Sequence, residues 1–299
     1  MKQPFTKIFY TPQQHINLLK SRGLIIKDEH KAADYLYNIG YFRLSAYFYP
    51  LLEIPKEQHR YKAGTTFIQA MDMYRFDRKL RLLLFNEIEK VEVAIRSCIT
   101  NAVSESFNDL FWITEPGYFS NSVNFRNTLN AIDAELSKSK EDFILHFQST
   151  YTDNYPPAWM IAEILPLGML CRIYTNLKDN AVKKQIAQHF GLQVPVFSSW
   201  IVILAGLRNL CCHHCRTWNR ELAVITTEPR KTKYSWINPA LTNKRRIYYR
   251  ICMIRYFLFT ISLNNTFKEK LKDLLSAYPS IDIRAMGFPA NWENEDIWK

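Results

Sequence analysis

Residues 204–220 read LAGLRNLCCHHCRTWNR, with two adjacent histidines among three cysteines and arginines at 208, 216 and 220. Two chemistries could use such a set. A structural metal site needs four donors, usually from two separated pairs of cysteine or histidine. Here Cys211, Cys212, His213, His214 and Cys215 are nearly contiguous, and no distant second pair is visible. On a helix only Cys211 and Cys215 would share a face, so the cysteines read as small buried residues, and neither a metal nor another cofactor is expected.

The second chemistry is proton and phosphate handling. Histidine exchanges a proton near neutral pH, and arginine offers fixed donors to phosphate oxygens and to charge that develops in a transition state. On a helical wheel, Asn209, His213, Arg216 and Arg220 fall in one stripe, with Trp200, Leu204, Leu207, Cys211, Cys215 and Trp218 opposite. Arg208 lies beside the stripe and is long enough to swing toward His213. RNA cleavage needs these two functions, because the 2′-hydroxyl supplies the nucleophile within the substrate and no metal is obligatory. A base for that hydroxyl and an acid for the departing 5′-oxygen are both useful, so a homodimer that brings two His213 and two Arg208 to one cleft is expected. A lone helical histidine near arginine is more often structural, and wheel geometry alone does not separate the two readings.

The elements that must position these residues are helical. Glycine is scarce, 47% of the 299 residues are hydrophobic, and long apolar-periodic runs predict an all-α chain. Thr11 caps a first helix with Gln14 completing a capping box, and Asp28 caps a second that ends at Gly40. From Thr65, apolar residues at 73, 76, 80, 84, 88, 91, 95, 98 and 102 predict one long helix of roughly ten turns. Its other faces carry Arg81 and the Glu92–Arg96 pair, which reads as a surface ion pair on a solvated face. Further helices are predicted near 124–149, 157–178, 180–190, 198–218 and 245–264, the fourth capped by Ser198 or Ser199. The organisation read from this pattern is a helical N-terminal subdomain over 1–64, a main helical domain over 65–264 and a docking tail over 265–299.

The formal net charge is +11, a field that attracts polyanions such as nucleic acid. The start lacks a signal-peptide core, and IVILAGL and ICMIRYFLFTISL read as too short, or interrupted by arginine, to span a bilayer, so a cytoplasmic protein with reduced thiols and no membrane partner is expected. The run NKRRIYYRICMIRYF offers Lys244, Arg245, Arg246 and Arg250, which with Arg216 and Arg220 are the expected RNA contacts. Its tyrosines can stack on unpaired bases or pack in the core with Ile251, Ile254 and Leu258.

The run LRNLCCHHCRTWNR resembles the R-N-x-C-A-H-H-x-R-x-W-N-R signature of the AbiD/AbiF-like abortive-infection family, with Cys212 where alanine is usual. Arg208 and His213 also form the R-x4-H version of the R-x4-6-H motif of HEPN-type ribonucleases. Segments from LLKSRGLIIKDEHKAADYLYNIGYFRLSAYFYP to MGFPANWENEDIW are similar to that family in the same order along nearly the whole chain. The resemblance implies a bacterial phage-defence protein with a HEPN-like helical bundle, related to the nuclease domains of RNA-guided type VI CRISPR effectors. It implies Arg208 and His213 as the catalytic pair of an endoribonuclease, with Asn209 as polar support and His214 as a supporting or structural residue. HEPN domains also occur as inactive binding modules, so the alternative is a non-catalytic RNA-binding or sensor module of a phage-defence or toxin–antitoxin system. A nuclease toxin must be restrained in healthy cells, so a separate regulator, a small RNA or an antitoxin, is expected.

Overall fold

The structure is a computed structural model describing residues 4–6 and 8–299. Among the described residues there are twelve α-helices, and the only sheet-like features are three isolated bridges. The chain is all-α. It divides into two compact units, one comprising 1–80 with 274–281 and the other 81–273 with 282–299.

The first unit begins with α1 (Pro12–Ser21), where the Thr11–Gln14 capping box is fully formed, and α2 (Glu29–Asn38), where Asp28 accepts from the Lys31 N–H. Gly40, at φ +91°, turns the chain directly into α3 (Tyr41–Phe48). Ile16, Leu19, Leu36, Leu44 and Phe48 are buried in this unit, and the Tyr47 hydroxyl donates to the buried Asp77 at 2.6 Å.

The long helix is a single element, α4 (Phe67–Phe107), and its stripe from Leu80 through Leu84, Ile88, Val91 and Ile95 is buried. In the second unit, α5 (Ser122–Lys138) and α6 (Asp142–Thr150) replace one predicted helix, and α7 (Ala158–Ile164) and α8 (Leu167–Asn176) replace another. The second break falls at Leu165, whose extended backbone precedes Pro166, as expected for the residue before proline. α9 (Asn180–His189) leads to α10 (Val194–Cys212), followed by the stretch 213–246, which contains a 3₁₀ turn at Pro239–Leu241 and no α-helix, then α11 (Ile247–Ile261) and α12 (Phe267–Ser276).

α10 packs against α8, α9 and α11 and forms the centre of the unit. Phe190, Phe197, Trp200 and Phe257 interlock there with ring centroids 5.2–6.2 Å apart. α10 starts at Val194 with Pro195 in its first turn, so Ser198 and Ser199 are internal and not caps. At 19 residues it is long and apolar enough to cross a membrane by length and composition, contrary to the shorter run read from the sequence; half of the apolar window is buried within the unit. The chain's end docks through aromatics: Trp292 and Trp298 are buried, and Trp298 Nε1 donates to the Tyr248 hydroxyl at 3.0 Å.

Candidate active site

The sequence pattern carries a helix to 218, but α10 stops at Cys212. The Cys215 N–H donates to the Leu210 carbonyl at 2.9 Å and the His214 N–H to the Cys211 carbonyl at 3.1 Å. These are the two bonds of a Schellman ending, with His213 as the C-cap and His214 in the left-handed position at φ 55°. Glycine or asparagine normally signals that position, and histidine does not. The single polar stripe of Asn209, His213, Arg216 and Arg220 therefore does not exist: Asn209 is on the helix, His213 on its cap, and Arg216 and Arg220 lie half-exposed in the segment beyond.

The geometry presents His213 and Asn209 to solvent at the end of α10. The turn is held from behind. Arg81, 5% exposed on α4, donates through Nη1 to the Cys215 carbonyl at 3.2 Å, and buried Trp218 donates its Nε1 to the Asp282 carbonyl at 3.4 Å. Arg81→Met would leave the carbonyl without this donor and is expected to lower the unfolding free energy by about 1–3 kcal/mol in urea titrations, with Arg81→Lys less severe. His214→Val, which sets a β-branched side chain in that left-handed position, is expected to lower the unfolding free energy by about 1–2 kcal/mol in the same titrations.

Arg208 forms an ion pair with α4. Its Nε lies 3.5 Å from Glu92 Oε2, and its side chain is 36% exposed while that of Glu92 is 12% exposed. The same carboxylate receives Arg96 Nη2 at 3.0 Å through Oε1. Arg96 in turn donates through Nη1 to the Glu163 carbonyl at 2.9 Å and to the Ala162 carbonyl, neutralising the C-terminal end of α7. The Glu92–Arg96 pair is thus a buried bracket and not a surface ion pair. One carboxylate between two guanidinium groups leaves a net positive charge, and the Arg208 side chain is partly exposed. In the sequence Glu92 was legible as the i,i+4 partner of Arg96, while its link to Arg208 was not.

No hydrogen bond joins Arg208 to His213 among the described residues, although both lie in the last turn and cap of α10. Beside them, an apolar-floored groove of about 230 Å³ runs between the Val202–Gly206–Leu210 face of α10 and residues 220–224, with Arg220 on its wall.

The other predicted contacts are dispersed. Lys244 pairs with Glu228, Arg245 lies 3.8 Å from Glu221, and Arg246 donates to Asn219 Oδ1 at 3.4 Å; all three are half-exposed. Arg250 is a correction. It is 2% exposed, its guanidinium donates to the carbonyls of Lys244, Arg246 and Val224, and burial brings its pKa down to about 10. It secures the start of α11 against the preceding segment and has no surface for RNA. Tyr248, Tyr249 and Tyr256 are fully buried core residues. Among the described residues no group of three or more histidine, cysteine or acidic side chains is placed to hold a metal ion.

The fold and site together describe an all-α protein in which a helix end carrying Arg208 and an exposed His213 is braced by the Arg96–Glu92–Arg208 cluster. A family model for Abi-like proteins matches residues 34–219, which include the whole bracket and the Arg208–Arg216 run. The chain belongs to the Abi-like protein family, and that membership supports a role in abortive infection, the defence of bacteria against phage. No curated protein and no solved structure matches the chain.

Proposed function

We propose that this protein is a HEPN-type endoribonuclease of the bacterial cytoplasm that acts in abortive infection without requiring a metal. The observation that carries the reading is the end of α10: Arg208 paired with Glu92 and partly exposed, and His213 exposed on the cap five residues later. The 2′-oxygen of the substrate attacks the adjacent phosphorus and loses its proton to a base, while the bond from phosphorus to the 5′-oxygen breaks and that oxygen gains a proton. The products are a 2′,3′-cyclic phosphate and a 5′-hydroxyl. Arg208 binds the non-bridging oxygens, where negative charge grows in the transition state, and His213 moves protons.

One exposed histidine serves one of the two proton transfers at a time. A homodimer that pairs two α10 ends supplies both, with Asn209 as polar support and the half-exposed Arg216, Arg220, Arg245 and Arg246 as candidates to hold the strand. A nuclease of this kind is restrained in healthy cells by a small RNA or an antitoxin. The chemistry is tested by a substrate in which each 2′-hydroxyl is methylated. It is expected to bind and to resist cleavage; cleavage at the unmodified rate would remove the 2′-oxygen from the mechanism.

A further inference from the structure

Away from the His213 end, the start of α10 carries a second positively charged surface. The stretch after the site is strapped onto the first half of this helix. The Thr227 N–H donates to Ser199 Oγ at 2.9 Å, Trp200 Nε1 to the Thr227 carbonyl at 3.0 Å, and Gln193 Nε2 to the Lys231 carbonyl at 2.8 Å. The Lys233 N–H donates to the Tyr256 hydroxyl at 3.2 Å, and that hydroxyl donates to the Gly191 carbonyl at 2.9 Å. The seat is close: Gly191 has φ +68°, and a Cβ there would lie 2.4 Å from the Lys233 Cβ.

The strap therefore holds the backbone of Lys231 and Lys233 at fixed positions. With Lys184 of α9 they line an open groove of about 670 Å³ whose other polar side chains include the amides Asn180, Gln188 and Gln193. No acidic residue lines it, the three lysines are exposed, and among the described residues none of them pairs with a carboxylate. Three cations from two segments suit a linear polyanion with repeated phosphates better than a single small anion. The absence of aromatic rings from the lining points to backbone contact without base stacking. α10 spans about 27 Å from this groove to the Arg208–His213 end, so one RNA strand can occupy both.

We propose that this groove anchors the phosphate backbone of single-stranded RNA at a distance from the Arg208–His213 site, a reading that rests on RNA being the substrate. The test measures RNA affinity in the uncleaving His213→Ala protein across a salt series, with single strands of about four and about twenty nucleotides. The triple variant Lys184→Glu, Lys231→Glu, Lys233→Glu is compared with a charge-matched control, Arg126→Glu, Lys138→Glu, Lys140→Glu. The groove variant is expected to bind the long strand at least tenfold more weakly, with the slope of log affinity against log salt reduced by about 2. The short strand and the control are expected to change little. If charge reversal unfolds the protein, the glutamine series at the same lysines is read instead, with a smaller shift in the same direction.

Equal losses in the control, or equal losses for short and long strands, would overturn the anchor in favour of a diffuse field. Unchanged affinity and slope would also overturn it and leave the groove to an acidic protein partner. The outcome is independent of cleavage. A wild-type protein that cuts nothing while the groove variant still loses long RNA retires the nuclease and keeps the anchor.

Discussion

His213→Ala is expected to lower the rate of RNA cleavage by about 10²–10⁴-fold, the range supplied by one positioned general acid or base, and to leave RNA affinity nearly unchanged. The imidazole is exposed on the helix cap, so its loss removes no core contact and the fold should persist. Arg208→Ala is expected to cost about 10²–10³-fold in the same assay, because it removes a donor aimed at charge that develops during the reaction. Unlike His213→Ala, it should also weaken binding of the phosphate. Matched single-turnover and binding measurements separate the two: a proton-transfer residue moves the rate alone, and an anion-binding residue moves both.

The second large effect is at Glu92. Glu92→Gln leaves Arg96 and Arg208 facing a neutral amide where both had shared one carboxylate. Breaking a buried ion pair from one side costs about 3–5 kcal/mol. Because Arg208 is 36% exposed and keeps part of its solvation, about 3 kcal/mol is the expected loss in urea unfolding. Among molecules that remain folded, cleavage should fall as well, since the cation is no longer held at the end of α10. A double-mutant cycle provides the check. If Glu92 acts through Arg208, its effect on the rate should largely vanish in an Arg208→Ala background; additive losses would assign Glu92 to stability alone.

Local chemistry made much of this fold legible. Thr11 with Gln14, and Asp28, marked the starts of α1 and α2, and the run of apolar residues in threes and fours along α4 predicted one uninterrupted helix. What was not legible depended on tertiary context or on an unusual residue at a common position. α10 ends at a left-handed histidine, so the expected glycine signal was missing and the predicted helix ran on to 218. Its start was announced by Pro195, a better signal than the serines at 198 and 199. Arg250 sits in a run of cations that resembles a nucleic-acid-binding edge, and only the fold shows its donors turned onto backbone carbonyls. The Glu92–Arg96 spacing was plain, but its burial and its link to Arg208, 112 positions away from Arg96, required the packing of α4 beside α10.

The measurement that tests the central claim most directly is cleavage of end-labelled single-stranded and structured RNAs by purified protein in excess EDTA, wild type beside His213→Ala, with the product ends identified. The account predicts that only the wild type cuts and that every new end is a 2′,3′-cyclic phosphate facing a 5′-hydroxyl. Equal cleavage by both proteins, or wild-type products ending in a 3′-hydroxyl and a 5′-phosphate, would contradict it.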